Sequence, residues 1–210
     1  DFPHNLRSRA ETDTNLSLIS CGSVPDANYD FAELLDRCQK AAGAPLRTLI
    51  CVAPPVGQVE VLDFTADNMQ QIVDLELVVP ALFMQEAGRR LASAGEGQII
   101  VFCSMSAKTG VHTKVAPFAA AKGGLLAYMR AMAAELAPNG VTVNGIATSL
   151  FEPQVAVLPD EERAQLTMGI PARRFGRPRE AAAAAVYLAS ADAAFITGET
   201  LNLSGGRFMD

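Results

Sequence analysis

Three short, almost continuously apolar runs constrain this chain more than any other feature. They are Thr48–Ala53 (TLICVA), Gln98–Cys103 (QIIVFC) and Val141–Ile146 (VTVNGI). Runs of this length and character suit strands buried on both faces of a parallel sheet. Leu16–Ser20 (LSLIS) and Thr200–Leu203 (TLNL) read as two further strands. Helical stretches separate them, at Tyr29–Ala42, Ala66–Ala94, Pro117–Ala137 and Pro178–Ser190. Strand–helix alternation requires right-handed crossovers and predicts an open α/β layer structure. Pro117 and Pro178 sit where a first helical turn tolerates a missing N–H, and Pro138-Asn139-Gly140 stops the third helix. No repeat or linker divides the chain, so residues 1–210 read as one domain whose first segment, 1–15, is polar.

Composition removes several function classes. Half of the 210 residues are hydrophobic, which excludes disorder of the chain as a whole. Seventeen Lys and Arg against 23 Asp and Glu leave a net charge of -6, the wrong sign for a nucleic-acid binder. The best candidate for a membrane span, Ile72–Met84, is broken by Asp74, Glu76 and Pro80. The first fifteen residues, DFPHNLRSRAETDTN, lack the apolar stretch of a signal peptide. Cys21, Cys38, Cys51 and Cys103 show no CxxC pairing, and three of them lie in or beside apolar runs, so reduced thiols are expected. His4 and His112 stand too far apart to suggest a metal site. A cytoplasmic protein is expected.

Particular stretches carry more. PARRFGRPREAAAAAVYLASADAAFITGETLNLSGG (Pro171–Gly206), FAAAKGGLLAYMRAMAAELAPNGVTV (Phe118–Val143) and Gln98–Gly110 occur in the order, and with much of the wording, of the short-chain dehydrogenase/reductase family. From about Thr48 onward the chain resembles that family. The resemblance implies a Rossmann-like three-layer αβα fold and carbonyl reduction or alcohol oxidation with NAD(P). It also implies a Tyr as general acid/base, a Lys four residues later that lowers the Tyr pKa and holds the nicotinamide ribose, a Ser that orients the substrate oxygen, and an Asn in the proton relay.

Carried onto this sequence, those positions have changed. Ser104 falls at the Ser position, with Ser106 a poorer fit, and Lys122 is in place on the same helical face as position 118. Position 118 is Phe, which has no O–H to exchange a proton. Tyr128 lies on another face and about 15 Å further along the helix. Glu76 takes the Asn position. Val52-Ala53-Pro54-Pro55 stands where the family has NNAG, and Thr148-Ser149 where it has PG. Ser104, Phe118, Lys122 and Glu76 are therefore expected to be vestigial, and the chain a degenerate, pseudoenzyme member. The plainer readings are a turn or cap role for Ser104, a solvated or hydrogen-bonded Lys122, a salt-bridged or helix-edge Glu76, a solvated arginine loop (Arg173, Arg174, Arg177, Arg179) and an exposed His112.

The cofactor motif is absent as well. No GxxxGxG or GxGxxG occurs in these residues, and Gly22 is the only glycine just after the first strand. Against the family, roughly 30–40 early residues are missing, about one βαβ unit. The expectation is a truncated sheet that lacks the glycine-rich dinucleotide unit. Its strands run in sequence order, without the switch point at which a dinucleotide would sit. No cofactor and no metal are expected on this chain, with NAD(P) on a partner.

Gly123-Gly124 inside a helix costs about 1 kcal/mol per residue relative to Ala, and the close approach of another element explains it. In the resembling family this helix packs on its counterpart in a neighbouring subunit, and the Phe195–Gly206 tail forms a second interface. The expected role is a non-catalytic, stabilising subunit of a heteromeric NAD(P)-dependent alcohol dehydrogenase, a heterotetramer through the resembling family's two interfaces. The Phe118–Ala137 helix and the tail would bind an intact paralogue acting on a CoA-thioester hydroxyacyl substrate in aromatic degradation. Two alternatives stand beside it: a homo-oligomeric small-ligand-binding or regulatory protein, and an enzyme using Ser104, Lys122 and Glu76 without a nicotinamide.

Overall fold

The computed structural model describes residues 26–52, 58–110 and 112–210. The strand expected at Leu16–Ser20, the polar segment over 1–15, His4, Cys21 and Gly22 lie outside them. Within them, four strands form one wholly parallel sheet in sequence order: β1 (Thr48–Cys51), β2 (Gly97–Ser104), β3 (Val141–Thr148) and β4 (Thr200–Leu203). Two of the apolar runs are central strands, β2 and β3, with Ile99, Ile100, Val101, Val143 and Ile146 all sealed from solvent, whereas the third, β1, lies at the edge of the described sheet.

Helices cover both faces. On one side lie α1 (Phe31–Ala42), α2 (Ala66–Val73) with its continuation α3 (Val79–Ala94), and the long α5 (Ala116–Leu136), which follows the single turn α4 (Ser106–Thr109). Leu35, Met84, Leu91, Leu125 and Met129 pack there against Leu49, Ile99 and Val101. Two short helices, α6 (Glu152–Val155) and α7 (Asp160–Met168), follow β3. On the other face α8 (Pro178–Leu188) sets Ala185 and Leu188 against Ile100 and Ile146. That cover does not reach β1: Ile50, which alternates with the inward Leu49 and Cys51, stays 43% exposed, and Val52 is more exposed still.

Local chemistry sets the boundaries. Asp30 caps α1 by accepting from the Glu33 N–H at 2.8 Å, and Thr65 and Asn68 form a reciprocal capping box on α2. The stretch expected as one helix over Ala66–Ala94 is instead interrupted at Asp74–Val78 by a wider π turn, in which the Val79 N–H reaches back to the Asp74 carbonyl. Pro80 supplies the reason. It has no N–H for the carbonyl of Glu76 and its ring would collide with it, so the backbone widens there.

The paired glycines of α5 also find a neighbour within the chain. A Cβ on Gly124 would sit 3.1 Å from Leu77 of the π turn, and one on Gly123 would sit 3.6 Å from the Ala107 carbonyl oxygen. The close approach inferred from Gly123-Gly124 is thus made by the chain's own π turn and by α4.

Candidate functional site

The π turn and α5 together bury one ion pair. Lys122 of α5 is only 2% exposed. Its Nζ lies 2.8 Å from Oε2 of the buried Glu76. The contact is a charge contact: Oε2 receives no directed hydrogen bond among the described residues. The Phe118 ring, one helical turn before Lys122, presents its centroid 5.9 Å from the same Nζ, within cation–π range. Lys122 is therefore neither solvated nor hydrogen-bonded to a neutral group. Glu76 is the salt-bridged carboxylate that its plainer reading anticipates.

Two thiols share this environment. Burial pushes Cys51 up to about 12 and Cys103 up to about 11, with the Lys122 charge opposing the rise in both. Both thiols are thus neutral and unreactive at ordinary pH. Cys38 of α1 and Cys51 are both partly buried and Cys103 is buried, so the raised thiols decide: iodoacetamide at pH 8 is expected to modify Cys38 in preference to Cys51 and Cys103, as peptide mass spectrometry would read. Equal labelling of all three would refute this buried arrangement.

Ser104 closes β2 and does not join the pair. Its Oγ accepts from the Ser106 N–H at 3.1 Å, a turn-capping contact, and no hydrogen bond or ion pair connects it to Lys122 or Glu76. Of the three residues that an enzyme built on Ser104, Lys122 and Glu76 would use, only Lys122 and Glu76 are in direct contact among the described residues. Tyr128 is turned away, its hydroxyl donating to the Ala81 carbonyl at 3.2 Å.

His112 corrects a reading from sequence. It is part-buried rather than a free loop residue, with Nδ1 3.2 Å from Ser106 Oγ and 3.4 Å from Thr109 Oγ1. Burial and then the Arg207 charge hold its pKa below the usual histidine value. The arginines of the 173–179 loop are mostly engaged. Arg174 grips Glu180 through both terminal nitrogens at 2.8 and 2.6 Å, Arg177 reaches Glu152 at 3.2 Å, and Arg173 donates to the Met168 carbonyl at 2.6 Å.

Sequence reasoning missed a second polar cluster. Lys108 of α4 meets Asn202 of β4 and Asp210 of the tail, and Asn202 also lines a cavity of about 300 Å³ bordered by Leu150, Phe151 and Ile170. Lys108 and Asn202 are 94 positions apart, so no local spacing could have paired them. Among the described residues no group of His, Cys, Asp or Glu could hold a metal ion, and no helix is long and apolar enough to cross a membrane.

The family described as enoyl-(acyl carrier protein) reductase matches residues 31–207. A 3-oxoacyl-[acyl-carrier-protein] reductase from Vibrio harveyi is 47% identical over 93 residues, 44% of this chain and 38% of the relative. The corresponding reductase from Salmonella typhimurium is 34% identical over 144 residues, 68% of this chain and 59% of the relative. The chain thus spans about half the length of the curated relatives it matches. Among solved structures, a chain assigned as a short-chain alcohol dehydrogenase from Sinorhizobium meliloti 1021 superposes with a TM-score of 0.79 at 32% identity, covering 88% of this chain and 73% of that one.

Proposed function

The chain belongs to the short-chain dehydrogenase/reductase family, and from that premise we propose that it is a non-catalytic subunit. It completes and stabilises a hetero-oligomer, a heterotetramer, with an intact family member that carries NAD(P) and the full catalytic set. One observation carries this reading: Phe118 fills the acid/base position while Glu76 neutralises the one remaining cation, Lys122, inside the protein. Proton transfer has lost its hydroxyl, and the ammonium that would hold a ribose is withdrawn from solvent.

A nicotinamide dinucleotide fits these residues poorly. Its ribose would have to displace Glu76 from a buried charge, and the described strands run in order with no reversal to open a crevice. The chain itself binds no NAD(P) on this reading.

The surfaces that support a partner are apolar or small. Along α5, Ala120, Ala127, Ala131 and Ala134 are exposed on the outer side and admit close approach of a second helix. Phe195, at the start of the tail, is fully exposed, and Val186 and Tyr187 of α8 are substantially so. The partner's substrate is proposed to be a hydroxyacyl thioester, of CoA in aromatic degradation; the relatives named for 3-oxoacyl-[acyl-carrier-protein] reduction support the thioester class.

Titration with NADH, followed by fluorescence, is expected to give no saturable binding to the isolated chain. Phe118→Tyr is expected to restore the hydroxyl without restoring NAD(P)H-dependent turnover, because Glu76 still holds Lys122. Stoichiometric NADH binding, or turnover by that single variant, would overturn the proposal. The cavity beside Asn202 favours a second reading, a homo-oligomeric ligand-binding protein. Expression alone separates the two: a monodisperse homo-oligomer supports the second, whereas aggregation relieved by a co-expressed intact dehydrogenase supports the first.

A further inference from the structure

The polar cluster at the C-terminal end of β4 has the form of a receptor already holding a ligand. Lys108 Nζ donates to Asn202 Oδ1 at 2.9 Å and pairs with Oδ2 of Asp210, while Asn202 Nδ2 donates to the other oxygen, Oδ1, of the same carboxylate. The three groups close a ring. By occupying the amide oxygen, Lys108 fixes which way Asn202 faces, so its NH₂ is turned toward the anion. A cation and an amide donor thus meet the two oxygens of one planar carboxylate, each with its own partner.

The two sides of the contact differ in exposure. The Lys108 side chain is 8% exposed, and its ammonium also lies 5.2 Å from the Phe208 ring centroid. The Asp210 side chain is 51% exposed. It belongs to a tail segment past the last strand, tethered through Ser204, whose Oγ donates to the Phe208 carbonyl at 3.1 Å and accepts from the Phe208 N–H at 3.3 Å. The cation is fixed in the fold and its counter-ion is peripheral. A nearly buried ammonium without a counter-ion is costly, so the position demands an anion whether or not the tail supplies it.

We propose that Lys108 and Asn202 form a binding site for the carboxylate of a small organic acid, and that Asp210 occupies this site as an internal stand-in until such a ligand displaces it. The cavity that Asn202 borders is walled by Leu150, Phe151 and Ile170 and suits a short apolar body attached to that carboxylate. A single negative charge is specified. Arg174, the cation in the cavity lining, is committed to both oxygens of Glu180, and that carboxylate would repel a second charge on the ligand.

The test uses butyrate as the probe and butyramide as its neutral isostere, titrated at low salt into the full chain and into Asp210→Ala, with the Asn202 side-chain amide resonances as the readout. Removing the internal competitor is expected to tighten butyrate binding by about tenfold or more. Butyramide is expected to leave those resonances unmoved, and Lys108→Met in the Asp210→Ala background is expected to abolish the butyrate response. Asp210→Ala strands the Lys108 ammonium and is expected to lower stability, so Asp210→Asn, which keeps a polar partner without the competing charge, is titrated beside it and is expected to show the same tightening. If Lys108→Met fails to fold, the comparison of butyrate with butyramide still decides. Equal affinity in the parent and Asp210→Ala, an equal response to butyramide, a response that survives Lys108→Met, or no response to butyrate at all would each overturn the proposal.

Discussion

Replacing Lys122 by methionine is expected to lower folding stability by about 3–5 kcal/mol, because it leaves the Glu76 carboxylate charged, buried and without a counter-ion. The loss should appear as a lower midpoint of urea unfolding at an unchanged slope. Glu76→Leu alone should be comparably damaging, since it strands the ammonium instead. Combining Glu76→Leu with Lys122→Met removes both charges and substitutes apolar side chains of similar volume, so the double variant is expected at or above parental stability. The double-mutant cycle should therefore give a coupling far outside additivity. An unfolding midpoint for Lys122→Met equal to the parent's would mean that the ammonium reaches water, and would remove the main support for a sealed, non-catalytic site.

A second large effect is expected at Gly140, in the turn that follows α5. Its φ of +72° already disfavours any side chain, and an added Cβ would lie 2.3 Å from the carbonyl oxygen of Gly95. Gly95 cannot yield easily, for it caps α3 in the left-handed conformation itself, at φ +77°. Gly140→Ala is therefore expected to cost about 3 kcal/mol or more, strain and backbone overlap together. Gly43 is the control: it has a similar φ of +61° and nothing within 4 Å, so Gly43→Ala should cost only about 1 kcal/mol. Equal losses at the two positions, by thermal melts, would show that the contact between the turns contributes nothing. Much depends on that contact, because the turns sit directly before Gly97 and Val141, the pair that opens the β2–β3 ladder.

β2 and β3 were legible because burial on both faces leaves a continuous apolar signature; Thr200–Leu203 ends where the sequence puts it, and the other three observed strands differ by one or two residues at their ends. Phe118 and Lys122 could be paired from their spacing on one helix. The partner of Lys122 could not, since the sequence distinguishes a solvated lysine from a sealed one only once the neighbouring helix is in place. The break at Asp74–Val78 had a signal, Pro80 four residues after Glu76, that a long helical pattern concealed. Lys108 and Asp210 had none, because a contact between the first turn after β2 and the tail after β4 is made by topology alone.

The π turn has one further consequence, in the angular phase of the helix that contains it. Such a turn amounts to one residue inserted into an α-helix, and one residue is about 100° of rotation. Everything from Val79 onward is out of step with Ala66–Val73 by that angle. The row of Met84, Ala87 and Leu91 that α3 buries in the core is set by that rotation, and without the extra residue the same helix would turn a different side of itself to the sheet.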